Sequence, residues 1–299
     1  MKYDLINKNQ LQVNKYTIKG KSTIIDTQKG KFVFKKNNGH DIYKYLSSRN
    51  FNYYPKIIDY DKEIILFEYL DNINYDNNQK ALDIMRLISL LHSKTAYYKE
   101  IDYDEYKSIY ETIKIKIDHI NNYYKEVISM IETKIYVSPA EYLIERNISK
   151  IFSCINYCNI ELSRFFEIIK DKKRKRVVTL HNNLKLDNVI KNDKIYLISW
   201  DKNKIDSPIY ELVEFYNKYY YNFDFVNLFY EYEKIFPLLE EEKLLLNILI
   251  SIPNKIKFNS SEYILVKQVK SMIDKIYKTE KLLTSKKEES TNAKKQEIY

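Results

Sequence analysis

The chain has 299 residues with 44% hydrophobic and 30% charged side chains, so it can bury a substantial core as one large domain or two packed lobes. A formal net charge of +9 would suit phosphates or an anionic surface, but only six of the 50 basic residues are arginine, and lysine bias accounts for the charge without a nucleic-acid partner. No apolar run reaches the length of a membrane span, and the start MKYDLINKNQLQ lacks the apolar core of a secretory signal, so a cytoplasmic protein with no membrane partner is expected.

Residues 11–20 (LQVNKYTIKG), 21–28 (KSTIIDTQ) and 31–36 (KFVFKK) are rich in β-branched and aromatic residues and are separated by turns at Gly20-Lys21 and Gln28-Lys29-Gly30. They read as an antiparallel meander. A helix follows over 41–51, with Ile42, Tyr45 and Leu46 on one face. PKIIDYD (55–61) and EIILFEYL (63–70) form a further strand pair. Beyond residue 75 the periodicity is helical, over 81–93 and 104–134. A third helix runs from Ser138-Pro139-Ala140-Glu141, with serine as N-cap, proline at the first helical position and glutamate at the third, to about residue 170. The basic run 172–176 (KKRKR) reads as a solvated helix end or turn. RVVTL (176–180) and KIYLISW (194–200) read as strands, and helices start again near Pro208 and Pro237, the last covering 260–283. The polar end, 284–299, has no periodicity and is expected to be disordered. Together these give an α+β fold with a β-rich lobe over 1–70, ending in a hinge strand, and a mostly helical lobe over 71–283.

The two cysteines, Cys154 and Cys158, share one helical face and read as small core residues, because the chain offers too few further ligands for a metal site. With three glycines there is no GxGxxG and no GxxxxGK[ST], which excludes the usual dinucleotide and Walker-type phosphate cradles.

The octapeptide 181–188, HNNLKLDN, lies between two strands. His181 opens it, Asn183 is third and Asn188 eighth. The second strand ends Leu197-Ile198-Ser199-Trp200-Asp201, and Ser207-Pro208-Ile209-Tyr210-Glu211-Leu212 follows, with Glu211 twelve residues after Ser199. These three segments and the lobe order resemble the aminoglycoside phosphotransferase and choline kinase group, with its protein-kinase-like bilobal fold and its bacterial spore-coat relatives. That group carries HGDxxxxN, a strand ending in IDW or IDF, and D-P-x-x-D-L. The resemblance spans about residues 11–283 and is most specific over 181–212.

What the resemblance implies about chemistry is mixed. Asn183 stands where the group has its aspartate base, and Ser199 where it has a metal-binding aspartate; Asn188 retains the amide ligand. An amide cannot take a proton near pH 7, and a hydroxyl is a weak ligand for Mg²⁺ beside a carboxylate. Asp187 and Asp201 are the candidate substitutes, Asp201 because two residues of extended chain return a side chain to the same face. Lys35, with Lys36 as its neighbour, would be the phosphate-contacting lysine on the third strand. The glutamate of the next helix would map to Asp41, or be replaced by Lys44. Glu68 and Leu70 would frame adenine at the hinge, and Lys19–Ser22 would form the turn over the phosphates. His181 and Glu211 would be structural. His40, His92 and His119 lie in no motif.

Two readings follow. One is a pseudokinase that binds a nucleotide, a small ligand or a protein partner, with ATP as the candidate cofactor and Mg²⁺ in doubt. The other is an active ATP-dependent phosphotransferase acting on a small-molecule hydroxyl through Asp187 and Asp201. Nothing in the sequence identifies an acceptor, and spore association is left open.

Overall fold

The computed structural model describes the backbone of residues 2–37 and 41–296, and side-chain surroundings over 4–37 and 41–285. In chain order it runs α1 (Lys2–Lys8), β1 (Val13–Lys19), β2 (Ser22–Thr27), β3 (Gly30–Lys36), α2 (Asp41–Ser48), β4 (Ile57–Tyr60), β5 (Ile64–Glu68), α3 (Asn77–Thr95), β6 (Tyr97–Glu100), α4 (Tyr103–Glu132) and α5 (Pro139–Ile169). Then come β7 (Arg174–Leu180), a 3₁₀ turn (Leu186–Asn188), β8 (Val189–Lys191), β9 (Ile195–Leu197), a second 3₁₀ turn (Trp200–Lys202), β10 (Lys204–Asp206), α6 (Ile209–Tyr219), α7 (Phe225–Glu233), α8 (Glu240–Ser251) and α9 (Glu262–Gln296). The chain groups into two compact units, one of Met1–Ala96, Val178–Asp206 and Lys234–Phe236, the other of Tyr97–Val177, Ser207–Glu233 and Pro237–Tyr299.

The first unit is built on a five-stranded antiparallel sheet of order β1-β2-β3-β5-β4. Gly20 (φ 58°) closes the two-residue β1–β2 hairpin and Gly30 (φ 110°) begins β3, both in backbone that side chains disfavour. Register sorts the side chains of β3. Phe34 pairs with Leu66 and Thr23, and joins Leu5, Ile6, Leu11 and Ile25 in a core that α1 covers. Lys35, one residue on, therefore projects to the opposite face, with its partner Ile65. On α2 the buried residues are Tyr43 and Leu46, whereas the sequence pattern pointed to Ile42, Tyr45 and Leu46. Tyr43 sets its ring edge-on to Phe67, at 5.4 Å between centroids. The helix α1 carries no strong pattern over its seven residues, and the short strands β6, β8 and β10 carry too few letters to register as strands.

In the second unit α4 and α5 form a long antiparallel pair, and α5 also packs on α8 and α9. Ser138 and Glu141 make the reciprocal capping box at the start of α5. The basic run lies in a connection only at Lys172 and Lys173: β7 begins at Arg174, and Arg176 binds Glu242 with its side chain 12% exposed. Cys158 is buried and Cys154 partly so. The backbone of α9 is helical to Gln296, across most of the segment expected to be disordered; residues 297–299 lie outside the described residues, as does His40. Among the described residues no helix is long and apolar enough to cross a membrane.

Candidate functional site

The octapeptide and the segment after β9 come together with Lys35 inside the first unit. The loop is tied down by backbone. Asn188 N–H donates to Lys185 O (3.0 Å), and Ile198 N–H donates to Asn188 O (2.9 Å). Two amide side chains add to this: Asn188 Nδ2 donates to Asn183 O (2.8 Å), and Asn183 Nδ2 to Ser199 O (3.3 Å). His181 is fully buried, with Nε2 2.9 Å from Ile198 O and its ring edge-on to Trp200 at 4.7 Å. Trp200, the chain's one tryptophan, donates to Leu197 O (3.0 Å) and meets Phe51 at 6.0 Å.

Ser199 is left-handed (φ 69°, ψ 55°), and the next three residues form a 3₁₀ turn. The path from Ser199 to Asp201 is therefore not the extended chain on which the two-residue alternation relied. A left-handed non-glycine residue stores roughly 1–3 kcal/mol of strain. Its hydroxyl lies 3.4 Å from Lys35 Nζ. Burial lowers the pKa of Lys35, and the negative charge of Asp201 works against that shift. Burial, followed by the charge of Asp201, raises the Tyr43 pKa. The charge of Asp201 thus acts on both Lys35 and Tyr43, although its side chain is exposed.

Tyr43 carries no signal of its own in the sequence. Asp41 and Lys44, the two candidates on α2, are solvent-exposed and 4.0 Å apart. The buried residue between them meets the Asp201 field. A helix of eight residues gives too short a periodic signal to choose its inward face. Asp187 is exposed in the first 3₁₀ turn, and Lys36 is exposed at the end of β3. Lys21, Lys35 and Lys36 line one cavity of about 500 Å³ with Thr23, Phe34, Glu63 and Ile64. At the end of β5, Glu68 N–H donates to Lys56 O (3.0 Å), and its carboxylate accepts from Lys56 N–H (2.7 Å). Tyr69 N–H donates to Lys31 O (3.2 Å), after which Leu70, half-buried, leaves the sheet. Glu211 is buried at the third position of α6, in the second unit. His92 is buried 6.0 Å from the Phe236 ring, and His119 accepts from Lys255 Nζ. Among the described residues no three His, Cys, Asp or Glu side chains cluster as a metal site would require.

No family model matches the sequence, and no curated protein matches it. Solved structures do resemble it. An aminoglycoside phosphotransferase from Alicyclobacillus acidocaldarius superposes with a TM-score of 0.66 at 8% identity, over 94% of this chain and 93% of that one. The AMP-bound complex of a spectinomycin phosphotransferase gives 0.49 at 11% identity, over 95% and 94%. A choline kinase from Cryptosporidium parvum gives 0.41 at 14%, over 97% and 93%. The chain has the fold of that aminoglycoside phosphotransferase, an antiparallel sheet followed by a mostly helical part.

Proposed function

We propose that this kinase-like protein binds a nucleotide through its phosphates and does not transfer the phosphoryl group efficiently. One observation carries the reading. Where the resemblance places a metal-binding carboxylate, a hydroxyl faces an ammonium: Ser199 Oγ lies 3.4 Å from Lys35 Nζ. A cation at that position attracts phosphate and repels a dication. The remaining donors, an amide at Asn188 and a hydroxyl at Ser199, are uncharged, so the set does not suit Mg²⁺, a hard ion that favours carboxylates and water. Asn183 can hold the loop to Ser199 O through its amide but cannot accept a substrate proton. Loss of a general base alone costs about 10²- to 10⁴-fold in rate. Lys21 and Lys36, beside Lys35 in one cavity, extend the cationic surface, and Leu70 and Glu68 at the end of β5 are the candidate contacts for the base.

A second reading, an active phosphotransferase, has one observation in its favour: the charge of Asp201 acts on Lys35 and Tyr43 together. An ATP-turnover assay separates the two. The proposal expects no turnover above background in the native protein and no further change in Asp201→Ala. Turnover that Asp201→Ala abolishes would establish the enzyme instead.

A further inference from the structure

A second cavity in the first unit, of about 750 Å³, is not the one beside Lys35. It lies among α2, β4, the end of β5 and the β8–β9 hairpin, and that volume is within the range of small-molecule pockets. Its lining combines two chemistries. Four tyrosine rings, Tyr43, Tyr54, Tyr60 and Tyr196, supply flat apolar surface. Two of their hydroxyls are engaged, Tyr54 donating to Tyr43 O (3.0 Å) and Tyr196 to Asp193 (2.7 Å), so these rings offer mainly their faces and edges. Tyr43 and Tyr54 lie 5.0 Å apart between centroids.

Three lysines, Lys44, Lys56 and Lys194, share the lining with a single carboxylate, Glu68, which already accepts the Lys56 backbone N–H. Among the described residues neither the Lys56 nor the Lys194 ammonium has a carboxylate within 4.0 Å; Lys44 has only the exposed Asp41, at 4.0 Å. Instead, Lys194 sits 5.2 Å from the Tyr196 centroid and 5.8 Å from that of Tyr53, and Lys44 sits 5.7 Å from that of Tyr60. Lys194 lies over two rings with Asp193 as its neighbouring carboxylate; three lysines against one lining carboxylate favour an anion, and the rings beside them a planar group.

We infer that this cavity is a second ligand site, for a phosphomonoester carrying an aromatic ring. The ring lies among the tyrosines, and the phosphate dianion is held by Lys56 and Lys194. The site is separate from the Lys35 cavity, with which it shares no lining residue.

The test is calorimetric titration of the full chain with phenyl phosphate, with phenol and inorganic phosphate as half-ligands. Phenyl phosphate should bind at least about tenfold more tightly than either half, a difference of about 1.4 kcal/mol. The double variant Lys56→Ala/Lys194→Ala should weaken phenyl phosphate by about tenfold. Lys21→Ala, in the other cavity, should leave it unchanged. The two lysines are exposed, so the double variant should fold, which its melting curve verifies. Equal affinity for phenyl phosphate and its halves, an unchanged affinity in the double variant, or a weakened affinity in Lys21→Ala would each overturn the assignment.

Discussion

Ser199→Asp puts a carboxylate where the 3.4 Å contact with Lys35 now ends in a hydroxyl. The backbone should accept it, since aspartate visits the left-handed region more readily than most residues. Two unit charges about 4 Å apart attract by about 4 kcal/mol at an effective dielectric of 20, an upper bound. Ser199 is half-buried, so solvent screening and side-chain ordering reduce the net gain to about 1 kcal/mol. The substitution should therefore raise the melting temperature by about 2–4 °C at low salt. Part of that rise should fade as salt is added. The new carboxylate also opposes the burial that lowers the Lys35 pKa. With ATP present, the variant should gain a dependence on Mg²⁺ that the native protein lacks. A melting temperature that falls or stays fixed at low salt would refute the placement of Lys35 against Ser199, and with it the electrostatic reading of the site.

Other substitutions probe the same account. Lys35→Met should weaken ATP by about tenfold or more in equilibrium binding, since hydrogen bonds to charged groups are worth about 1.5–3 kcal/mol; unchanged affinity would remove Lys35 from the site. Arg176→Met leaves Glu242, 6% exposed, with the Leu239 N–H but without its guanidinium and should cost about 3–5 kcal/mol in urea unfolding, with Glu242→Leu added to the variant restoring part of it; a loss under about 1 kcal/mol would contradict the pairing. Lys275 is 5% exposed, and its pKa is pushed down to about 8 from 10.5 by burial. Below pH 8 both folded and unfolded chains carry this charge, and folding bears the full penalty, at most about 3 kcal/mol. Above pH 8 the unfolded chain holds the proton longer, so stability from this residue rises with pH. Lys275→Met should be more stable at pH 7 and flatter between pH 8 and 9.5; a destabilised variant with the same pH slope would show that the buried ammonium is compensated.

Much of the architecture was legible because spacing survives substitution. The intervals from Asn183 to Asn188 and from Ser199 to Glu211 are kept although three of the four residues differ from the pattern, and β-branched and aromatic residues marked the strands that carry Lys35 and Ile65. Geometry at single residues was not legible. The left-handed backbone of Ser199 has no letter signal, since glycine or asparagine would have announced it and serine does not. It bends the chain away from the extended path, so the relation of Asp201 to Ser199 could not be read by alternation. Tyr43 was hidden for a different reason: it is one of 30 tyrosines, and a two-turn helix does not specify which face is buried. The pairing of Arg176 with Glu242 joins residues 66 apart in sequence, which local composition could only read as a basic run.

Thermal melting of the purified chain with ATP, with and without Mg²⁺, tests the central claim most directly. Nucleotide at about a hundredfold over its dissociation constant should add about 2.7 kcal/mol of stability. The account predicts a rise of several degrees that is the same with and without Mg²⁺. A rise that requires Mg²⁺, or no rise at millimolar ATP, would contradict it.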